Sequence, residues 1–500
     1  MTDKDPQVVD DKLRGHGTNP WVVLVLICLA QFMVVLDVTI VNVALPSIQK
    51  DLGLAEANLQ WIINAYTLLF GGFLLLGGRA GDLLGRKRVF LIGMVIFTTA
   101  SLVNGLASNS GTLIGVRAVQ GLGAALISPA ALSIISTTFA EGKERARALG
   151  VWAAIAIGGS AIGFVLGGWL TQSFSWRWIF FVNVPVGIVA FFLSLRLVPE
   201  SRDEELQRSF DVVGAIAATG GLMSLVYAMV STDRSGWGSA KVIGFLVLAV
   251  VLFATFMIVE RRSASPLVRL AIFRVRSLAT ANISMLFAAS GIFAMFFFNT
   301  LYIQRVLGYH PLKAGLAFLP FTGGVMVSAG IASAFAPKVG VRLVAAVSMI
   351  VSFVGMLLLV RLPVHGSYVP NVLPSMLITS LGLGGVFMSL TLIATTGLSD
   401  EDQGLASGLF NTSQQVGGSL GLAILSTVAA SRTKAFHGTK TAALVHGFHY
   451  AFAAAAGLML TALIVMLALL RERHVARIMA EASQSKSVSA GDAEADLVGA

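Results

Sequence analysis

The recurrence of apolar runs, each about 20 residues long, constrains the fold of this chain more than any other feature. A run of this length crosses the hydrocarbon core of a bilayer as one α-helix. Only 12% of the 500 residues are charged and 56% are hydrophobic, whereas an ordinary soluble domain carries about 25% charged residues. A soluble fold of this composition would lack the polar surface needed to cover its core. The sequence therefore predicts an all-α integral membrane protein.

We predict fourteen membrane spans. The first run is too long for a signal-peptide core and no clear cleavage site follows it, so we expect it to be retained. The fourth and thirteenth spans are long enough to require a tilt or a kink. The predicted spans are residues 21–46, 57–77, 89–107, 111–137, 148–171, 178–197, 211–231, 241–259, 278–304, 311–334, 343–361, 371–395, 405–430 and 447–470.

The basic residues predict the orientation of these spans. With the N-terminus in the cytoplasm, 24 of the 35 basic residues fall on the cytoplasmic side and 10 fall outside, and Arg117 lies within a span. This asymmetry follows the positive-inside rule, so both termini are expected to be cytoplasmic. The net charge of +10 thus reflects membrane orientation rather than nucleic-acid binding.

Several chemistries are excluded or disfavoured. The P-loop pattern G-x-x-x-x-G-K-[ST] does not occur, so a nucleotide site of that kind is excluded and an ion gradient is the expected energy source. The spans carry no pattern typical of a metal site or a catalytic constellation. A single cysteine, Cys28, rules out an intrachain disulfide.

Two charged residues lie inside predicted spans, where charge is costly. Asp37 is in the middle of the first span, and a carboxylate at mid-bilayer costs roughly 2.5–3.5 kcal/mol on insertion scales. Arg117 is in the fourth span, where it shares a helical face with Gln120, Gly121 and Ala124. We interpret Asp37 as the proton or cation site and Arg117 as a group that biases a nearby carboxyl. The alternatives are a protonated structural aspartate and an arginine that reaches the outer interface.

The loop after the second span has the sequence GRAGDLLGRKR, residues 78–88. Asp82 stands beside a glycine turn, where an aspartate can cap a helix N-terminus, and the basic run 86–88 anchors the cytoplasmic face. An ordinary positive-inside loop explains the basic run but not Asp82 with its spaced glycines.

Stripes of small, polar or aromatic residues mark three further spans. In the fifth span, glycines at positions 159, 163 and 167 are spaced for close helix packing. In the thirteenth, Asn411 and Gln415 join three glycines on one face, which suits cavity lining and interhelical hydrogen bonding equally. In the ninth, Met295 and Asn299 flank three phenylalanines, which suits apolar ligands or plain packing.

Together these segments resemble the fourteen-span drug:proton antiporter branch of the major facilitator superfamily. The resemblance covers nearly the whole chain, and its six motifs occur in the family's order. They are LDVTIVNVALP (36–46), GRAGDLLGRKR (78–88), RAVQGLGAA (117–125), the fifth-span glycines, WRWIFFVNVPVG (176–187) and GLASGLFNTSQQVGGSLG (404–421).

The resemblance implies the major facilitator fold, in which two six-helix bundles surround a central cavity. The first bundle would cover residues 21–197 and the second residues 278–470, with two inserted spans in the linker 198–277. Residues 1–20 would form a cytoplasmic segment, and residues 471–500 a cytoplasmic tail whose composition indicates disorder.

The resemblance also implies roles for individual residues. Proton coupling falls to Asp37 and Arg117. The remaining roles belong to three sets. A conformational latch between the bundles comprises Gly78, Asp82, Gly85, Arg86 and Arg88. The helix-packing antiporter motif comprises Gly150, Gly159, Gly163 and Gly167. The substrate cavity is expected to include Gln120, Met295, Asn299, Asn411 and Gln415.

Phe164 departs from the family pattern, because the antiporter motif places a proline directly after Gly163. A helix without that proline should be straighter. If its loss is merely tolerated, the glycine contact still seals the cavity against protons. If Phe164 instead fills space that a bend normally occupies, it changes packing in one of the two access states. We favour the first interpretation because the glycine spacing is intact.

The sequence thus predicts a proton-coupled secondary active transporter, not an enzyme, that exports small lipophilic drugs, antibiotics or toxic metabolites by alternating access. The resemblance implies a monomer in the plasma membrane, with protons and lipid as partners, a substrate that can be cationic, and no cofactor, nucleotide or nucleic acid. A proton symporter or facilitator for a lipid or metabolite is the alternative among transporters. A non-transporting receptor or scaffold is the alternative of another class, and the buried charges argue against it.

Overall fold

The computed structural model describes residues 19–139, 143–201, 211–263, 266, 268, 270–396, 398 and 400–470. The predicted tail 471–500 lies outside these residues, as does nearly all of the predicted segment 1–20. The described chain forms fourteen long helices, numbered here in chain order. Their bounds are α1 Pro20–Leu52, α2 Trp61–Leu84, α3 Arg86–Gly105, α4 Ser110–Thr138, α5 Lys143–Ser173, α6 Trp178–Leu197, α7 Val212–Ser235, α8 Ala240–Arg262, α9 Arg276–Leu301, α10 Pro311–Val339, α11 Val341–Leu359, α12 Leu373–Thr395, α13 Asp400–Ala435 and α14 Lys440–Leu469.

Shorter elements join or interrupt the long helices. Helix α6 breaks at Val182 and α10 breaks at Phe318. The remaining short elements are the helix Glu56–Leu59, the 3₁₀ turn Leu270–Arg274 and the π-helical turns Tyr302–Val306 and Tyr368–Val372.

Thirteen helices of the described chain are long and apolar enough to cross a membrane. The exception among the fourteen is α13, which is 36 residues long but carries many glycine and serine residues and several charged residues near its ends. It nevertheless packs against α9, α14 and α2, which cover part of its polar surface, and Ser419 is 0% exposed. The prediction of an all-α integral membrane protein is confirmed in the part of the chain that the structure describes.

Local chemistry sets the ends of α1. The Asn19 side chain accepts a hydrogen bond of 2.9 Å from the Trp21 amide, and Pro20 occupies the first helical position. Gly53 ends the helix in the left-handed conformation, with a φ of 61°. Its 33 residues span about 50 Å, which exceeds the roughly 30 Å of a hydrocarbon core, so α1 must tilt or protrude.

The helix pairs repeat with an offset of eight. In the first half the main pairs are α1–α5, α2–α4, α3–α4 and α3–α6, and in the second half they are α9–α13, α10–α12, α11–α12 and α11–α14. The two halves meet along two seams, α2–α13 and α5–α10, which are related by the same offset. The chain is therefore an internal duplication of a six-helix unit, with α7 and α8 added between the copies.

The inserted pair lies on one seam. Helix α7 packs on α8 and also on both α2 and α13. Val226 shares an apolar cluster with Leu68 of α2 and Ala423 of α13, and the Thr427 hydroxyl of α13 donates to the Met229 carbonyl of α7 at 3.3 Å. Helix α7 thus bridges the two halves.

We call the end of the bundle that holds the N-terminus of α1 the near face, and the opposite end the far face. The halves are joined at the far face. There the side-chain amide of Gln304 donates to the Val43 carbonyl at 2.8 Å, and the backbone amide of Leu312 donates to the side-chain oxygen of Gln172 at 3.2 Å. Helix α5 packs mainly on the first turns of α10, and Phe335 at the near end of α10 is 50% exposed.

Candidate functional site

Asp37 lies inside the first half, on the face of α1 that packs against α4 and α6. It is 0% exposed, and its carboxylate is bound by three side chains. Arg117 donates to Oδ2, while Gln120 and Asn183 donate to Oδ1 at 2.8 Å and 3.3 Å. The sequence prediction of an acidic residue deep in the first span therefore holds.

Arg117 of α4 is the ionic partner of Asp37 and is 1% exposed. Its Nε donates to the Ile62 carbonyl at 3.2 Å, and its guanidinium lies 4.3 Å from the centroid of the Tyr66 ring. A second ring, Phe180, lies 5.8 Å away. These contacts hold the guanidinium beside the carboxylate and enclose it within the protein, so Arg117 does not extend into solvent.

Four neutral side chains complete the cluster around the ion pair. The Gln120 oxygen accepts from Arg117 and from Asn104, each at 2.8 Å, and its Nε2 lies 3.3 Å from the Ser101 hydroxyl. Asn183 also donates to the Ser101 hydroxyl, at 3.2 Å. The network draws on α1, α3, α4 and α6, so any change in charge at its centre acts on four helices.

The electrostatic balance of this cluster is simple. One negative and one positive group are buried together, and both are hydrogen-bonded. Removal of one member of a buried ion pair leaves an uncompensated charge and typically destabilises a protein by roughly 3–5 kcal/mol. Protonation of Asp37 would have a related effect, because it removes the negative charge and leaves Arg117 unpaired.

The loop between α2 and α3 lies at the near face, and Gly85 there has a φ of 109°, which favours glycine. Asp82 does not cap α3, contrary to the sequence interpretation. It belongs to the last turn of α2 and binds Arg86, with Nη2 3.1 Å from Oδ1. Instead, Glu200 beyond α6 accepts from the Lys87 amide at 3.1 Å.

Glu200 ties this loop to the end of the first half. Its second carboxylate oxygen lies 3.6 Å from Nε of Arg88, and the neighbouring Ser201 carbonyl accepts from the Arg86 amide at 2.9 Å. A carboxylate at a helix N-terminus is favoured because it meets unpaired amides and the positive end of the helix dipole. The latch residues therefore all belong to the first half, in the last two turns of α2, at Gly85 and in the first turn of α3. A Cβ atom at Gly78 would lie 3.6 Å from Pro129 of α4, which is ordinary contact.

The fifth-span glycines face α1. A Cβ atom at Gly159 would lie 3.3 Å from Phe32, and one at Gly163 would lie 3.0 Å from Thr39 Cβ. A Cβ atom at Gly167 would lie 2.7 Å from Ile40 Cγ1. A side chain at Gly163 or Gly167 would therefore require Thr39 or Ile40 of α1 to move, whereas at Gly159 a shift of a few tenths of an ångström in Phe32 would suffice. Gly150 differs, since a Cβ there would meet open space.

The residues predicted to line the substrate cavity do not share one surface in this structure. Gln120 belongs to the Asp37 cluster, and Met295 and Asn299 are each 0% exposed within the second half. Asn411 is exposed, and its amide donates to the Ser407 carbonyl of its own helix.

Gln415 of α13 instead packs on Gly71 of α2, at the seam between the halves. One turn along, the Thr412 hydroxyl donates to the Gly71 carbonyl at 3.2 Å. Toward the far face, the Thr67 and Ser419 hydroxyls lie 2.5 Å apart across the same seam. Part of the α13 stripe therefore serves contact between helices.

Sequence reasoning missed Ser101, Asn104 and Asn183, which complete the ion-pair network. Ser101 and Asn104 are polar residues three positions apart in an apolar run, a spacing that puts them on one helical face. Asn183 lies within the WRWIFFVNVPVG segment that carried the family resemblance. The signal was therefore present, as buried polar groups in otherwise apolar helices.

Thirteen helices able to cross a membrane, in the part of the chain that the structure describes, together with an ion pair buried in the first half, define a class, the polytopic membrane proteins. A family model described as Major Facilitator Superfamily matches residues 27–422. The chain belongs to the Major Facilitator Superfamily. It is accordingly a multi-pass membrane transporter of small molecules and not an enzyme.

Two relatives match most of the chain. A puromycin resistance protein of Streptomyces alboniger is 40% identical over 470 residues, which cover 92% of this chain and 93% of the relative. A cephamycin export protein of Amycolatopsis lactamdurans is 41% identical over 82% of this chain and 85% of the relative.

Solved structures share the fold at low sequence identity. The crystal structure of a peptide transporter, POT, in complex with sulfate gives a TM-score of 0.65 at 16% identity, and the match covers 91% of this chain and 95% of that one. The predicted major facilitator fold is thereby confirmed. A bacterial homolog of the human lysosomal transporter Spinster, in an inward-facing and occupied conformation, gives a TM-score of 0.63 at 13% identity. It covers 89% of this chain and 96% of its own.

Proposed function

We propose that this protein is a proton-coupled exporter of small lipophilic compounds, antibiotics among them, that works by alternating access. The observation that supports this most is the enclosed pair of Asp37 and Arg117 within the first half. Relatives whose names describe antibiotic resistance or export favour outward transport over uptake.

The coupling step follows from the charge balance of the cluster. A proton that binds Asp37 removes its negative charge, and the cluster then carries the unpaired charge of Arg117. An unpaired buried charge is unfavourable, so protonation destabilises the present packing of α1 against α4. Six residues further along α1, the Val43 carbonyl accepts from Gln304 of the second half. Movement of α1 would therefore reach the contact that joins the halves at the far face.

The direction of transport depends on which face is cytoplasmic. The basic clusters at 86–88, 143–147 and 261–276 all lie at or beside helix ends of the near face. By the positive-inside rule we assign the near face and both termini to the cytoplasm of the plasma membrane. Since the halves are joined at the far face, this arrangement would load substrate from the cytoplasm.

The substrate is proposed to be lipophilic and not necessarily cationic. Asp37 is bound by Arg117 and has no exposed surface, so it does not offer a free negative charge to a substrate. We therefore assign Asp37 to the proton rather than to a cationic group of the compound. The protein is proposed to act as a monomer within membrane lipid.

The test is transport by purified protein in proteoliposomes under an imposed pH gradient. Puromycin, which is named in the Streptomyces alboniger resistance protein, serves as the first probe, and a cephamycin, as named in the Amycolatopsis lactamdurans export protein, as the second. We expect accumulation against the probe's gradient toward the acidic lumen of vesicles whose near face points outward. Nigericin, which dissipates the pH gradient, should abolish accumulation.

Three results would contradict the proposal. Flux that only equilibrates the probe, with or without nigericin, would indicate a facilitator. Accumulation that requires an opposite pH gradient would indicate proton symport into the cell. A scaffold would give no flux of any probe, and protein-free liposomes supply the baseline for that comparison.

A further inference from the structure

Phe164 makes contacts across the seam between the halves. It lies on α5, is 3% exposed, and stacks on Phe318 of α10 with 4.6 Å between ring centroids and 14° between ring planes. The same ring stacks on Phe296 of α9 at 5.8 Å and 20°. Phe321 then meets Phe296 edge to face at 5.0 Å. We call these four rings the aromatic layer.

The aromatic layer uses a different face of α5 from the glycines. Consecutive residues on a helix point about 100° apart, so Gly163 can face α1 while Phe164 faces the second half. Gly163 meets Thr39 of α1, whereas the Phe164 carbonyl lies against Gly315 of α10. At this level of α5, packing on α1 and contact with the second half therefore depend on different residues. A proline at position 164 could bend the helix but could not make the ring contacts with the second half.

The aromatic layer is the innermost of three successive contacts that close the far side. One turn beyond Phe164, Gly168 packs against the Pro311 and Leu312 backbone, and one turn further Gln172 accepts from the Leu312 amide. By contrast, α5 packs only weakly on the rest of α10, which runs toward the near face. The rings thus lie where the joined part of the seam begins.

Stacked aromatic rings are suited to exclude water and ions. They pack closely, offer no hydrogen-bond partner to water in their plane of contact, and resist the passage of hydrated species, as apolar constrictions do in channels. Since Phe296 and Phe318 belong to the second half, the layer must separate when the halves part at the far face. A closed layer therefore corresponds to one access state only.

We infer that the aromatic layer is a seal. While the near side is open, it prevents protons and substrate from passing between the cavity and the far side. Phe164 is the member of the layer that α5 contributes. The inference rests on the proposed alternating-access export. It also replaces the sequence interpretation that the loss of the proline at 164 is merely tolerated, because this side chain joins the two halves.

The experiment measures two leaks that do not depend on coupled export. The first is passive proton entry into proteoliposomes without substrate. The second is labelling of Gln31→Cys, a partly buried position on the near side of the layer, by an impermeant thiol reagent applied to the far face. Cys28, the only native cysteine, is replaced by alanine in every variant.

Phe164→Ala and Phe318→Ala should each raise both leaks several-fold, and Phe164→Leu, which keeps apolar bulk, should stay near the parent. Phe164→Pro should leak as Phe164→Ala does. Phe452→Ala is the matched control: Phe452 is fully buried but packs on Phe298 within the second half, so its loss should not raise either leak.

Parent levels of both leaks in a folded Phe164→Ala variant would overturn the inference, and so would equal leaks in Phe452→Ala. Size-exclusion behaviour and thermal midpoint identify variants that fail to fold, and Phe318→Ala then provides the test. Both leaks are measured without substrate, so they do not depend on proton-driven export. If the leaks respond to the variants as expected but no probe is exported, the proposed function is contradicted and the inference about the aromatic layer is not.

Discussion

Gln120 Nε2 donates a 2.8 Å hydrogen bond to Asp37 Oδ1, and the oxygen of the same amide accepts from the partner of that carboxylate, Arg117. One neutral side chain therefore binds both members of the buried ion pair. Because every atom involved is removed from water, the amide fixes the relative position of the two charges.

Gln120→Leu keeps the volume of the side chain and removes these bonds. Asp37, Arg117 and Asn104 would each lose a partner, and a buried polar group left unpaired costs about 1–3 kcal/mol. We expect a clear fall in the thermal unfolding midpoint of the purified protein. Gln31→Leu is the control, since Gln31 is partly buried and makes one 3.3 Å contact with Ser128. Equal midpoints for the two variants would contradict this role.

The glycine face of α5 gives a second paired test. Gly163→Leu must displace Thr39 or the whole of α1, and overpacking of this kind costs about 1–3 kcal/mol. Gly150→Leu meets open space on the same helix and should be nearly neutral. The measurement is the amount and thermal midpoint of folded protein in the membrane fraction. A Gly163→Leu variant as stable as Gly150→Leu would show that α1 and α5 do not pack as described.

Glu200 should stabilise the near-face loop through its charge. Glu200→Gln keeps an acceptor for the Lys87 amide but removes attraction to the N-terminus of α3 and to Arg88, which is exposed. We expect a loss of only about 0.3–1 kcal/mol, because water and salt screen such charges. Thermal midpoints of both proteins are compared at low and high salt. The difference should shrink at high salt, and a constant difference would argue against an electrostatic role.

Membrane topology is tested with single cysteines in the Cys28→Ala background. Ser263 follows α8 at the near face and His437 follows α13 at the far face. In intact cells an impermeant reagent should label His437→Cys, and Ser263→Cys only after the membrane is opened. The reverse pattern would invert the assignment of the near face to the cytoplasm.

The sequence predicted what depends on composition and local pattern. Helices long enough to span a membrane follow from apolar runs, and the importance of Asp37 and Arg117 follows from the cost of charge in lipid. Their direct contact could not be derived, because it depends on how α1 and α4 pack. The cap on α3 also escaped prediction, since Glu200 is 113 positions from the amide it binds.

Phe164 shows the same limit. A family pattern identified the position as unusual, and helical spacing placed the neighbouring glycines on one face. The partners of the ring, Phe296 and Phe318, come from the other half of the chain. Only the packing of the two halves reveals that the substituted residue lies on their seam.

The most direct test of the account is proton-driven transport by Asp37→Asn in proteoliposomes. Asparagine keeps the size of the side chain and can hydrogen-bond, but it cannot carry the charge that pairs with Arg117. Asp51→Asn is the control, because Asp51 lies at the far face and binds Trp176 and Arg177 there. Both variants are checked for folding by thermal midpoint. If Asp37 is the proton-coupling residue, Asp37→Asn loses accumulation of the probe under a pH gradient while Asp51→Asn retains it. Normal gradient-driven accumulation by folded Asp37→Asn would contradict the account.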